Sequence, residues 1–405
     1  MNRTDRQKLC IKNWLKHDGK GTLRCCTGFG KTYMTIMIIK SLLKTNPSAI
    51  VLISVPTQIL KEQWHQELIK NHLFNNCKVE IINTIIKNKY KVDLFVIDEI
   101  HMACSQSFIK VFDVVTYNML LGLSGTLERL DQRHILLEKY CKVVDTVTVE
   151  EAIENNWLSD YREYKVLLNV DLTEYQELSK KFNSYFSFFN YDFNLAMECA
   201  TNIIKRRAYA KKMGYNHDEV TAIAMDWLRC MRARKNFVMS HPKKLEIAHK
   251  ILEHRQDRKC ITFSASIEEA KKIKYGHALH SKNSKKKNKA ILDEFDFFPN
   301  GVLNTNKAAD LGLDVKGLSV AIILSGNSSS IQKNQRLGRV LRKEGDKISE
   351  VFTLVISNTI EENWYSNSST HSYITITEEQ LDSVLNGQSI ETRQRDTIKN
   401  IEYRF

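Results

Sequence analysis

What this 405-residue sequence lacks narrows its function before any motif is read. It has no C-x-x-C pair and no Cys/His cluster at zinc-ligand spacing, so a zinc site is not expected. Apolar runs such as "YMTIMIIKSLL" (33–43) and "LSVAIILSG" (318–326) fall short of the roughly 20 residues a spanning helix needs, which excludes a membrane role. The first residues, "MNRTDRQKLCIKNWLKHDGKG", contain no apolar core for a signal peptide. Nine scattered cysteines, including the adjacent pair Cys25 and Cys26, fit a reducing compartment. A cytoplasmic protein is expected, in the host cytoplasm if the chain is viral. No repeat at solenoid spacing is visible, and Ser281–Lys289 is the one low-complexity run.

What is present suits a globular protein with two or three cores: 42% hydrophobic and 26% charged residues argue against disorder. Lys plus Arg exceed Asp plus Glu by 60 to 47, a formal charge of +13 that favours attraction to a polyanion, nucleic acid first. A Lys-, Asn- and Ile-rich chain also reflects an AT-rich genome, so charge alone does not decide.

Between Leu23 and Val149, β-branched runs alternate with amphipathic stretches, the signal of parallel βαβ units. Residues 49–55 and 93–98 read as buried strands and 58–70 as a helix. Residues 175–240 read as helical, and alternation returns from Lys259 with strands at 260–265, 301–306, 319–326 and 350–357. The expected class is α/β: two tandem P-loop lobes with parallel sheets and a helical insertion. Expected boundaries are a first lobe at 1–148, a connection and insertion at 149–245, a second lobe at 246–366, and a peripheral tail at 367–405.

The stretch Leu23–Met34, "LRCCTGFGKTYM", nearly fits the phosphate-loop pattern G-x-x-x-x-G-K-[ST], with Cys25 where the first glycine belongs. Gly28 and Gly30 allow a tight backbone, Lys31 supplies a cation, Thr32 a Mg²⁺ ligand, and a helical stretch follows. Thr27 and Phe29 complete the loop. The segment "LFVIDEIH" then adds Asp98 for Mg²⁺ and Glu99 for the attacking water at a strand end. The two motifs in this order point to an ATPase.

With these residues the chain resembles the superfamily 2 helicases and translocases, in which the first loop glycine is commonly absent. The resemblance covers about Gln7–Asn358 and implies two RecA-like domains, ATP and Mg²⁺ as cofactors, and a nucleic-acid track. It assigns Gln7 to adenine, Pro56 and Thr57 to the track, and His101 of "DEIH" to the γ-phosphate side. Ser124 and Thr126 of "GLSGTLER" would couple hydrolysis to the track. "KCITFSASIEEA" (259–270) is similar to a second-lobe motif, and "NTNKAADLGLDV" (304–315) brings Thr305, Gly312 and Asp314. "QRLGRVLR" (335–342) brings Gln335, Arg339 and Arg342. The two arginines, three residues apart on one helix face, would reach the γ-phosphate when the cleft closes.

Leu127 stands where the family often has proline, and Gln58 where some RNA helicases have arginine. The segment from Val149 to Leu178 is similar to the interlobe connection of xeroderma pigmentosum B-related and phage branch-migration helicases, which favours DNA as a single strand, fork or junction. A duplex-DNA motor of a restriction or remodelling assembly, with accessory proteins, stays open, as do an RNA helicase and a non-catalytic clamp. In the insertion, "YFSFFNYDFN" (185–194) reads more simply as a small core than as base-stacking rings, while its basic stretches 205–212 and 229–235 are better phosphate candidates.

Overall fold

A computed structural model describes residues 1–105, 107–125, 135–158, 161–306, 317–325, 348–368 and 373–388. The first sheet has six strands: β1 (Lys20–Cys25), β2 (Val51–Val55), β3 (Cys77–Ile81), β4 (Tyr90–Asp98), β5 (Val115–Ser124) and β6 (Val143–Val147). They lie in the order β3-β2-β4-β5-β1-β6, and every pairing is parallel. Strands covered by helices on both faces must be apolar throughout, which is why "VLISV" and "LFVI" read as continuous runs rather than alternating ones.

Three helices accompany the first half of this sheet: α1 (Arg3–Leu15), α2 (Lys31–Thr45) and α3 (Gln58–Lys70). The Asn2 and Thr57 side chains cap α1 and α3 by accepting from Asp5 N and Leu60 N. Helix α1 is pinned to the sheet by Trp14, whose indole donates to Leu120 O at 3.0 Å. A short helix, α4 (Val149–Glu154), leads out of the first sheet.

The second sheet has seven parallel strands: β7 (Tyr161–Leu168), β8 (Lys259–Phe263), β9 (His277–Leu279), β10 (Gly301–Thr305), β11 (Leu318–Ile323), β12 (Ser349–Ile356) and β13 (Ile374–Thr377). Their order is β13-β7-β12-β11-β8-β10-β9. Two expected boundaries shift here. The stretch assigned to the connection supplies β7, which pairs with β12 along its whole length from Tyr161 to Leu168. The tail expected to be peripheral supplies β13, which pairs with β7, so the chain returns to complete the sheet.

Between β7 and β8, the insertion folds as α5 (Thr173–Ser187), α6 (Phe193–Thr201), α7 (Ile203–Met213) and α8 (His217–Met239). Phe186, Phe189 and Trp227 form its buried centre, and Phe182, Tyr185 and Phe188 pack against it, so four rings of the 185–194 cluster are core as read, while Tyr191 and Phe193 are exposed. Two of its cations are also structural. Arg206 is buried and donates to Cys199 O at 2.6 Å, and Arg234 lies over the Phe182 ring at 4.5 Å. Lys205, Arg207, Lys211 and Lys212 remain exposed. Helix α9 (Pro242–Glu253) leads into β8, α10 (Lys285–Phe297) precedes β10, and α11 (Ile360–Ser368) and α12 (Glu378–Leu385) close the lobe. Lysines 285–287 of the Ser281–Lys289 run form the first turn of α10, started by Ser284, whose hydroxyl accepts from Lys287 N at 3.1 Å.

Candidate nucleotide site

Ligand sites of parallel sheets lie beyond the carboxyl ends of the strands, and the register here brings three of those ends level. Arg24 on β1 pairs with Ser124 on β5, and Asp98 on β4 with Leu123. The missing glycine is explained at once. Cys25 is still strand, its side chain buried in the core, and positive φ arises only at Gly28 (88°) and Gly30 (106°). A hydrogen bond from the Cys25 thiol to Cys10, and then burial, raise Cys25 well above the usual thiol range, so it stays protonated. Gly30 ends the loop just before α2, and a Cβ there would come within 2.5 Å of Gln7 Nε2. Lys31 donates to Cys25 O at 3.4 Å, Thr32 follows half-buried, and a Cβ on Gly125 would stand 3.2 Å from Thr27 Oγ1 and 3.5 Å from Lys31 Nζ.

Helix α1 closes one side of the loop. Gln7 Nε2 donates to Phe29 O at 2.7 Å, and Arg3, four residues earlier on the same face, donates to that oxygen at 3.0 Å and also to Gly28 O. The Phe29 ring is buried against Trp157, their centroids 5.5 Å apart. Arg6 locks the helix to β6 and α4: its guanidinium forks onto Asp145 at 2.8 and 2.9 Å, and Nε meets Glu151 at 2.7 Å.

On the other side, Asp98 Oδ2 accepts from Trp64 Nε1 at 2.9 Å and Oδ1 from Glu99 N at 3.0 Å. Burial, and then the charge of Glu99, push the Asp98 carboxyl up to about 6, against the pull of Lys31 and the Trp64 hydrogen bond. Glu99 adopts a left-handed backbone, φ 51° and ψ 52°, that carries the chain sharply off the strand end. Its Oε2 lies 3.3 Å from His101 Nδ1, which is also 3.0 Å from Ser124 Oγ. Glu99, His101 and Ser124 thus form one polar chain between two strand ends.

Pro56 and Thr57 follow β2 at the same edge, both half-buried, and the Thr57 hydroxyl is engaged as the α3 cap. Thr305 departs from its expected place on a nucleic-acid track: it is fully buried and its hydroxyl donates to Thr262 O at 3.0 Å, because it is the last inward residue of β10. Thr126, Gly312, Asp314, Gln335, Arg339 and Arg342 lie outside the described residues. Sequence reasoning gave no role to Arg3 or Trp64. Arg3 carried a usable signal in its four-residue spacing from Gln7, whereas Trp64 reads as an ordinary apolar helix position.

A phosphate loop, an acid pair two strands across the sheet and a second parallel lobe define the class: an ATP-dependent, two-lobed helicase or translocase. Comparison with known proteins agrees. Residues 1–93 match the family "Type III restriction enzyme, res subunit" and residues 243–344 the "Helicase conserved C-terminal domain". Over 382 residues the chain is 25% identical to the DNA 3'-5' translocase XPB2 of Sulfurisphaera tokodaii, covering 88% of this chain and 82% of that protein. It is 27% identical over 289 residues to the XPB subunit of the TFIIH basal transcription factor complex of Trypanosoma brucei, covering 66% of this chain but only 26% of that one. The crystal structure of the Pyrococcus furiosus Hef helicase domain shares the fold, with a TM-score of 0.54 at 18% identity over 89% of this chain and 98% of that one. By these comparisons the chain is similar to superfamily 2 helicases, and over most of its length to an XPB-type DNA translocase. No helix among the described residues is long and apolar enough to cross a membrane.

Proposed function

We propose that this chain is a DNA motor that uses ATP to move along DNA and to separate strands or migrate branches. The reading rests on one observation above all, the parallel register that sets the ends of β1, β4 and β5 side by side with Lys31, Asp98, Glu99, His101 and Ser124 at one edge. Lys31 and the loop N–H groups would hold the β- and γ-phosphates, with Thr27, Gly28, Phe29 and Gly30 shaping the loop. Gln7, supported by Arg3, would read adenine.

The donor set suits Mg²⁺. Thr32 and Asp98 offer hard oxygens, and no group of three or more His, Cys, Asp or Glu side chains able to hold a metal occurs among the described residues. That is the pattern for an ion bound by one or two carboxylates plus substrate phosphates. When bound, Mg²⁺ would offset phosphate charge. Glu99 would orient the water and take its proton, while His101 holds the Glu99 carboxylate and relays its position to Ser124. Gln335, Arg339 and Arg342 would come from the second lobe to the γ-phosphate, Gly312 and Asp314 would touch nucleotide across the cleft, and Pro56, Thr57 and Thr126 would serve the nucleic-acid track. Nine buried cysteines fit a reducing cytoplasm.

DNA is favoured over RNA by the XPB2 relative, named a DNA translocase, and by Gln58. The test compares ATPase stimulation by single strands, duplex, forks, four-way junctions and RNA, followed by strand displacement on forks. Stimulation by DNA above RNA, with displacement, is expected. Equal stimulation by RNA would remove the DNA assignment, and movement along duplex without displacement would replace the helicase by a pumping motor.

A further inference from the structure

We propose that Trp64 is a positioning residue for the metal site: its indole N–H fixes the orientation of the Asp98 carboxylate and ties it to helix α3. The inference rests on the ATPase reading above and extends it to a side chain outside the phosphate loop and the acid pair.

Trp64 is 2% exposed, and its one polar atom donates to Asp98 Oδ2 at 2.9 Å. The other carboxylate oxygen accepts from Glu99 N at 3.0 Å. With one donor on each oxygen, the plane of the carboxylate is set, and the lone pairs left over point in a defined direction. An indole can only donate, so the contact cannot invert its sense, and it persists because a buried donor without a partner costs free energy. A residue needed only to fill volume would not require this nitrogen, since phenylalanine buries a similar ring.

The location of Trp64 adds a second consequence. Helix α3 begins at the Thr57 cap and is braced against β3 by Lys61 and Glu80, 2.8 Å apart. Trp64 lies two turns along it, about 10 Å from the cap at the usual helical rise. A shift of the loop carrying Pro56 and Thr57 moves α3 as a unit and carries the indole with it. The carboxylate therefore responds to what happens at the other end of the helix.

Trp64→Phe removes the donor and keeps the ring, while Trp64→His restores a ring N–H. Each is tested for Mn²⁺ binding in the presence of ADP, read as the loss of free Mn²⁺ signal by electron paramagnetic resonance. Trp64→Phe should bind Mn²⁺ about 10- to 100-fold more weakly, the usual effect of removing an outer-shell partner, and Trp64→His should recover part of the loss. ADP affinity without metal should not change. Equal Mn²⁺ affinity in a folded Trp64→Phe overturns the proposal, as does an equal loss of metal-free ADP affinity, which would mark a structural role. If Trp64→Phe lacks the circular dichroism of the wild type, 5-fluorotryptophan in the wild-type chain decides. Of its five ¹⁹F resonances, the one missing from Trp64→His should broaden when Mn²⁺ and ADP are added together. An unbroadened Trp64 resonance overturns the proposal. Failure of the wild-type chain to bind ADP at all would instead remove the ATPase reading.

Discussion

Glu99 and Gly30 show how much of the site depends on single backbone conformations. A non-glycine residue in the left-handed region costs on the order of 1–2 kcal/mol, and Glu99 is held there at the strand end with its carboxylate near His101. Replacing it by glutamine keeps the shape and removes the base. Glu99→Gln should therefore bind ATP normally and hydrolyse it about 10²- to 10⁴-fold more slowly, the usual weight of a general base. Quench-flow measurement of ADP formation checks this, and wild-type ADP release would remove Glu99 from the mechanism. Gly30 has no such latitude: at φ 106° any side chain is strained, and its Cβ would press on Gln7 Nε2. Gly30→Ala should lose nucleotide binding and lower the thermal unfolding midpoint, as calorimetry and a melting curve would show. The loop and the acid pair were legible in the sequence from local order and spacing, whereas Gln7 was picked out only by the family resemblance. Trp64 and Thr305 were not, since a contact with Asp98 from 34 residues away and burial at the end of β10 exist only once the sheets assemble.

At the scale of elements, the strands that could be read are those buried on both faces, where continuous apolar runs leave little choice. Strand β13, "ITIT", is short and half polar, and nothing local announces that it pairs with β7 more than 200 residues earlier. The partner of β7 was equally hidden: its run is plainly a strand, but membership of the second sheet is a non-local choice. The second lobe is held at one end by Lys244 on α9 and Glu361 on α11, a buried ion pair. Glu361 also accepts from Ile356 N at 2.9 Å, so the pair ties both helices to the end of β12. Burial pushes the Lys244 amine down and the Glu361 carboxyl up, each opposed by its partner. Lys244→Met leaves that carboxylate buried and unpaired, which should cost about 3–5 kcal/mol. A urea unfolding midpoint unchanged from wild type would show that the pair contributes nothing.

For the whole molecule, the account requires a basic chain whose two lobes act on one nucleotide and one polyanion. If its excess of cations meets phosphates, the logarithm of DNA affinity should fall linearly with the logarithm of salt concentration, with a slope of about −0.7 per contacted phosphate on a single strand. Fluorescence anisotropy across a salt series measures it, and a flat response would reduce the charge of +13 to compositional bias. The central claim is that hydrolysis at the first-lobe phosphate loop is driven by nucleic acid. Steady-state ATP hydrolysis by the full chain, with and without forked DNA and beside Lys31→Ala, tests it most directly. The account predicts a wild-type rate that rises on adding DNA and a variant with no hydrolysis in either condition; a wild-type rate indifferent to DNA, or undiminished turnover by Lys31→Ala, would contradict it.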